Sequence, residues 1–203
     1  MIDRNASNSF KKRHYMRALR WTVAQCMRAF GYKNKPYLFE TRLNKGEMME
    51  FVDRKPYYAI FYDYENFRRT FRGKDYETQL CYAVSIAAHE MRHYYQVRQL
   101  YAKVPKESPE TIEAWRKNHF ESCDECPQKD LLAFYRLPME LDAALFSYVF
   151  TAEACESLVS FRYVDEGFID ELEKAYIARF GETDPDLFPH DGDGEAEEKD
   201  AAE

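Results

Sequence analysis

Apolar positions recur at three- and four-residue steps along several long stretches of the chain, a spacing typical of amphipathic helices. The first stretch, 9–30, has one such stripe, with Ser9 suited to cap its start and Gly31 suited to end it. The stripe consists of Met16, Leu19, Val23, Met27 and Phe30. Similar patterns predict further helices at 76–101, from 109 to about 120, at 136–161 and at 165–180.

Shorter, aromatic-rich segments lie between the first helix and the long helix at 76–101. Two of them, YLFETRL (37–43) and EMMEFVD (47–53), flank Asn44-Lys45-Gly46, which predicts a β-hairpin. A third, YYAIFYDY (57–64), follows Pro56 and predicts a stronger strand. The expected architecture is therefore α+β: a mostly helical domain with a small antiparallel sheet at 37–64.

The composition favours one folded domain over residues 1–181. Hydrophobic residues make up 45% of the 203 residues, and only 7 Gly and 8 Pro interrupt the predicted helices. We find no apolar run of about 18 residues, so the sequence predicts no membrane span. The first residues also lack the apolar core of a secretory signal, and five cysteines do not form an obvious disulfide framework, so we expect a cytoplasmic protein.

The charge of the chain is divided unevenly between this domain and the C-terminal segment. The chain carries −7 in total and residues 182–203 carry −9, so residues 1–181 carry +2. A segment so acidic and so poor in apolar residues is expected to be a disordered, solubilising tail. Binding a partner, or regulating the protein's own activity, is the alternative role for this tail.

One face of the predicted helix at 9–30 is basic. Either this face is simply solvated, or it contacts nucleic acid, an acidic partner or the protein's own tail. Its cationic residues are Lys11, Lys12, Arg13, Arg17, Arg20 and Arg28.

The segment AAHEMRHYYQ (87–96) contains the strongest chemical signal in the sequence. His89 and His93 are four residues apart in a predicted helix, so their imidazoles lie on one face and can bind one ion. Zinc suits such nitrogen ligands. Glu90 lies about 100° further round the helix, where it can act as a general base towards a zinc-bound water, the nucleophile of a hydrolase.

A catalytic zinc usually has three protein ligands, and no third histidine follows closely after His93. The segment PMELDAALF supplies the best candidate, Glu140, at the start of the predicted metal-binding helix 138–155. The small residues Ala143 and Ala144 would allow this helix to pack closely against the helix at 76–101. Asp142 is the alternative ligand, or else a partner that orients a histidine ring.

Other polar residues near the motif have less specific roles. Arg92 and Gln96 either support the histidines or the Glu140 carboxylate without binding the metal themselves, or lie on a solvated surface. A peptidase also needs a donor for the oxyanion of its transition state. The candidate donors are Tyr135, Tyr148, Tyr163 and His119.

The pattern of HExxH on one helix and Glu on a later helix resembles the gluzincin metallopeptidases. The fuller pattern, H-E-x-R-H-x-x-Q followed by P-x-E-x-D-A, resembles small bacterial and phage zincin-like proteins over residues 57–150. The resemblance implies a zincin-like domain with one zinc at His89, His93 and Glu140, and Glu90 as the general base. It also implies that a strand within 57–63 aligns a peptide substrate by main-chain hydrogen bonds.

The sequence thus predicts a zinc-dependent metallopeptidase that hydrolyses a peptide bond in a protein or peptide. The alternative is a zincin-like binding module for nucleic acid or protein, either with a structural zinc or activated only by a partner. Cys123 and Cys126 form a lone CxxC, which is either an ordinary loop or part of a further zinc or redox site.

Overall fold

One long helix, α3 (Tyr76–Leu100), lies at the centre of the fold, and three other helices and one strand pack against it. The computed structural model describes residues 10–54, 57–121, 131–156 and 168–188. In chain order the elements are α1 (Lys12–Phe30), β1 (Tyr37–Glu40), β2 (Met49–Arg54), β3 (Tyr57–Tyr62), α2 (Tyr64–Thr70), α3 (Tyr76–Leu100), α4 (Pro109–Glu121), α5 (Leu131–Tyr135), α6 (Pro138–Cys155) and α7 (Phe168–Phe180). The prediction of an α+β fold is confirmed.

The apolar stripe of the first predicted helix forms the contact between α1 and α3. Leu19, Val23 and Phe30 are buried in the main core, and Gly31 ends the helix with a left-handed φ of 71°. Such a backbone conformation favours glycine because glycine has no Cβ. The predicted cap, Ser9, lies outside the described residues.

The sheet differs from the predicted antiparallel hairpin. The strand order is β1-β3-β2, so the 37–43 and 47–53 segments do not pair with each other. Strand β3 lies between them, parallel to β1 and antiparallel to β2. Its residues Ala59 and Ile60 are buried, whereas β1 is largely exposed, so the most apolar strand occupies the centre of the sheet.

The turn that follows β1 is held by side chains from the start of α2. Asp63 accepts a hydrogen bond from the Leu43 amide at 3.1 Å, and Asn66 donates to the carbonyls of Asn44 and Glu47, each at 2.8 Å. These bonds anchor residues 43–47 beside α2, and β3 lies between the two segments that the Asn44-Lys45-Gly46 turn is predicted to pair. Asp63 also caps α2, a helix that the apolar pattern did not predict.

Helices α3 and α6 correspond to the two predicted metal-binding helices, and they are packed along each other. Ala143 and Ala144 are fully buried in α6, in agreement with the expectation that small residues permit this packing. A smaller core lies between α6 and α7 and also contains Leu187 and Phe188, so the described fold extends beyond residue 181. None of the described helices is long and apolar enough to cross a membrane.

The burial of the α1 stripe gives a quantitative expectation. Leu19→Ala should lower the free energy of unfolding by about 2–5 kcal/mol, because it leaves a cavity at a fully buried position. Val104→Ala is the matched control, since Val104 is 85% exposed, and it should have almost no effect. Urea denaturation of both variants measures the difference, and equal values for the two would contradict the described core.

Candidate metal centre

The two histidines of the HEMRH motif lie one turn apart on α3 and face the same side. Their Nε2 atoms are 3.0 Å apart, and the two rings are nearly perpendicular. Both positions lie well inside a helix of 25 residues, so the backbone fixes their relative position. The spacing therefore produces the paired arrangement that the sequence predicts.

Glu140 approaches this pair from the first turn of α6. Its carboxylate oxygens lie 3.2 Å from Nε2 of His89 and 3.4 Å from Nε2 of His93. The helix begins with Pro138 in its first turn, a position that proline favours, and this start places Glu140 opposite α3. One ligand atom from each of the three residues lies within 4.8 Å of the other two, and we call this group the metal centre.

The charges of the metal centre favour a cation between its three side chains. Burial by itself disfavours a charged His93, but the Glu140 carboxylate, with smaller contributions from Glu90 and Gln96, outweighs burial and raises the pKa of His93 to about 9. Burial likewise disfavours an ionised Glu140, but His93 and His89 outweigh it and hold the pKa of Glu140 below its ordinary value. A proton or a metal ion can supply the positive charge that this arrangement favours.

Gln96 connects His93 to the helix that carries Glu140. Its side-chain oxygen lies 2.8 Å from Nδ1 of His93, and its amide donates to the Met139 carbonyl at 2.8 Å and to Asp142 at 2.7 Å. The contact at Nδ1 makes that nitrogen the protonated one and leaves Nε2 of His93 to face the metal centre. Gln96 is fully buried, so its interpretation as a surface residue is wrong.

Asp142 lies behind the metal centre rather than in it. Its carboxylate accepts hydrogen bonds from Arg92 at 2.8 and 3.0 Å, from Gln96 at 2.7 Å and from Arg179 at 2.9 Å. These donors occupy both oxygens. The sequence predicts that Asp142 either binds the metal or orients a histidine ring. The geometry supports the second role, since Asp142 contacts Gln96, which in turn contacts His93. It does not place Asp142 among the ligand atoms.

Arg92 joins α3 to α6 through this carboxylate. Its side chain is buried, with its guanidinium 4.5 Å from the centroid of the Tyr95 ring and close to Trp115 and Phe146. Burial opposes its charge, but Asp142 outweighs burial and raises the pKa of Arg92. The interpretation of Arg92 as a solvated residue is therefore wrong.

Glu90 is held beside the metal centre by the sheet. Its Oε2 accepts a hydrogen bond of 2.7 Å from the backbone amide of Phe51 in β2, and its side chain is buried. The carboxylate is therefore oriented by a strand that is distant in sequence. No local pattern in the sequence indicated this contact.

The predicted oxyanion donors are in different surroundings. The ring of Tyr135 lies 6.4 Å from that of His89, and burial, with further contributions from Glu140 and Glu90, raises the pKa of its phenol to about 12. Tyr148 instead donates to the Leu187 carbonyl at 2.7 Å. His119 lies 3.9 Å from Asp53 on β2. Tyr163 lies outside the described residues, as do Cys123 and Cys126.

The prediction that a strand within 57–63 aligns a peptide substrate is wrong for the observed sheet. Strand β3 has β1 on one side and β2 on the other, so both of its edges are already hydrogen-bonded. Strand β2 is the edge strand that contacts α3, and Phe51 of β2 reaches Glu90. The backbone edge nearest the metal centre therefore belongs to β2.

None of the protein-family models, curated proteins or solved structures compared with this chain matches it.

Metal content tests the ligand set of the metal centre. The wild-type chain, loaded with zinc and dialysed, should retain about one zinc per chain, whereas His93→Ala and Glu140→Ala should retain much less. His14→Ala is a matched control because His14 lies on α1, away from the centre, and it should retain the wild-type amount. Elemental analysis by mass spectrometry gives the content, and full retention by Glu140→Ala would exclude Glu140 as a ligand.

The contact between Gln96 and His93 gives a second expectation. Gln96→Leu removes the acceptor at Nδ1 of His93 and should weaken zinc binding by about 10–100-fold. Gln99→Leu is the control, since Gln99 is a buried glutamine on the same helix that bonds Tyr32 and the Lys106 amide instead. Competition with a chromophoric chelator measures both affinities. An equal loss in the two variants would indicate general destabilisation and refute a specific role for Gln96.

Proposed function

We propose that this chain is a zinc-dependent metallopeptidase of zincin-like type. The observation that carries the proposal is the convergence of His89, His93 and Glu140 from two helices, with Glu90 near enough for its charge to act on His93. Two imidazole nitrogens and one carboxylate are a ligand set that catalytic zinc uses, and three protein ligands leave one position for a reactant. The donor set of the metal centre therefore fits zinc.

Zinc in such a site supplies Lewis-acid chemistry, which polarises a carbonyl group and makes water ionise near neutral pH. The residues of the chain supply the rest. His89, His93 and Glu140 hold the ion, while Gln96 and Asp142 keep the ring of His93 in the orientation that binding requires.

Glu90 moves the proton in the proposed reaction. The oxygen of a water molecule forms a bond to the peptide carbonyl carbon as Glu90 takes its proton, and the carbon–nitrogen bond then breaks as that proton passes to the leaving amine. The Phe51 amide holds Oε2 of Glu90, so we assign the proton transfer to Oε1. This hydrogen bond limits the motion of the carboxylate between the two steps.

The surroundings of the metal centre also suggest how a substrate is held. We assign the substrate strand to the outer edge of β2, where backbone groups other than the Phe51 amide, which Glu90 engages, would align an extended peptide by main-chain hydrogen bonds. Tyr135 supplies a phenol that stays protonated at neutral pH, because its pKa is about 12. A neutral phenol beside the ligands is suited to donate a hydrogen bond to a developing oxyanion.

The role of Glu90 can be separated from metal binding. Glu90→Gln should retain zinc but lower kcat/KM for peptide cleavage by about 10²–10⁴-fold, because glutamine cannot accept the proton. Glu77→Gln, an exposed change in the first turn of the same helix, is the matched control and should cleave normally. New N-termini in a proteome-derived peptide library, counted by mass spectrometry, provide the readout.

Two results would contradict the proposal. Wild-type cleavage by Glu90→Gln would refute the assigned base. A zinc-loaded wild-type chain that cleaves no member of the library would instead favour a binding module whose metal is structural.

A further inference from the structure

A second concave surface lies on the side of α3 that faces away from the metal centre. Each residue of a helix advances by about 100°, so Arg98 points about 180° away from His89. The surface is a cleft of about 1070 Å³ between α1, the loop 31–36, strands β1 and β3, and α3. None of the metal-centre residues lines this cleft, which we call the tyrosine cleft.

The tyrosine cleft is strongly basic. Arg20 comes from α1, Lys33 and Lys35 from the loop, and Arg98 from α3, whereas no carboxylate is among the described residues that line it. None of these four cations forms an ion pair with an acidic residue in the described part of the chain. Four unpaired cations around one cleft concentrate positive potential there and favour an anionic ligand.

Arg98 is held against aromatic rings of the cleft. The guanidinium of Arg98 lies 4.8 Å from the centroid of the Tyr32 ring and donates to the Tyr94 hydroxyl at 3.2 Å. The Tyr94 hydroxyl in turn donates to the Asn34 carbonyl of the loop, and Gln99 donates to the Tyr32 hydroxyl at 2.6 Å. The loop is thus fastened to α3, so the cleft is formed before any ligand arrives.

Exposed rings lie along the same cleft. Tyr37 and Tyr57 are 56% and 61% exposed, and their centroids are 6.0 Å apart. Phe39, also about half exposed, does not line the cleft but lies next to it, with its ring stacked on Tyr37 at 6.1 Å. Large aromatic side chains so exposed on neighbouring strands provide flat apolar surfaces that a planar ligand can cover.

We propose that the tyrosine cleft binds single-stranded nucleic acid. A chain of phosphates satisfies the four cations, and its unpaired bases stack on Tyr37 and Tyr57 of the cleft. An acidic peptide would satisfy the charges but leave the rings uncovered, and the bases of a duplex are already stacked on each other. The inference does not depend on the proposed peptidase activity, because it concerns a different face of α3.

Binding of a fluorescein-labelled oligothymidylate of about 15 nucleotides tests the proposal by fluorescence anisotropy on the full chain. At about 150 mM salt we expect a Kd between about 1 and 100 µM that weakens steeply as salt rises. An unlabelled duplex, polyglutamate of equal charge and thymidine monophosphate should all compete poorly. Equal competition by any of the three, or no binding at about 50 mM salt, would overturn the proposal.

Two double variants test whether the tyrosine cleft is the binding site. Lys33→Glu/Lys35→Glu should weaken binding by at least about tenfold and reduce its salt dependence. Lys117→Glu/Lys174→Glu makes the same change in net charge at exposed lysines outside the cleft, and it should bind like the wild type. An equal loss in the two would show an unspecific charge effect and refute the assignment.

The aromatic contribution has its own variant. Tyr37→Ala/Tyr57→Ala keeps every charge and should weaken binding by about tenfold or more, because stacking contributes strongly for each base. Both side chains are exposed, so the fold should be preserved, and an unchanged zinc content and circular dichroism spectrum would verify this. Wild-type affinity in a folded Tyr37→Ala/Tyr57→Ala variant would exclude base stacking and overturn the proposal.

Discussion

The buried contact between Arg92 and Asp142 sets the position of α6 on α3, and the geometry of the metal centre depends on that position. A charged pair removed from water is costly unless its remaining hydrogen bonds are satisfied. Here Asp142 also receives hydrogen bonds from Gln96 and Arg179, and the guanidinium of Arg92 lies against aromatic rings. Such a pair adds little net stability, but it joins the first turns of α6 to the middle of α3. In this packing Glu140 faces both histidines.

The same network connects the rigidity of the core to the chemistry of the metal centre. Gln96 bonds His93 on one side and both Asp142 and the Met139 carbonyl on the other, so the orientation of the ring is coupled to the first turn of α6. The sheet makes the corresponding contact with Glu90 through Phe51. Three elements that are distant in sequence therefore hold the two histidines, Glu140 and Glu90 in place.

Helix α3 separates two kinds of surface. Its His89 side is lined by carboxylates and imidazoles that favour a cation, whereas its Arg98 side carries cations that favour an anion. Aromatic side chains lie on both sides of α3. Buried rings such as Tyr94 and Tyr95 fill the core around the helix, and exposed rings on β1 and β3 extend the basic side. One helix thus contributes to two surfaces of opposite charge that do not share a residue.

The sequence by itself determined the features that depend on local geometry. The four-residue spacing of His89 and His93 in an apolar-periodic helix implies a shared face, and Pro138 indicates where the helix with Glu140 begins. Only the tertiary structure decided the order of the strands, because β3 pairs with both β1 and β2, and Asp63 and Asn66 bond a turn about 20 residues away. It also decided which donors bond to the carboxylate of Asp142 and that the Phe51 amide donates to Glu90. It likewise brought basic residues from α1, a loop and α3 into one cleft. These features arise from contacts between distant segments, and no periodicity within a single segment encodes them.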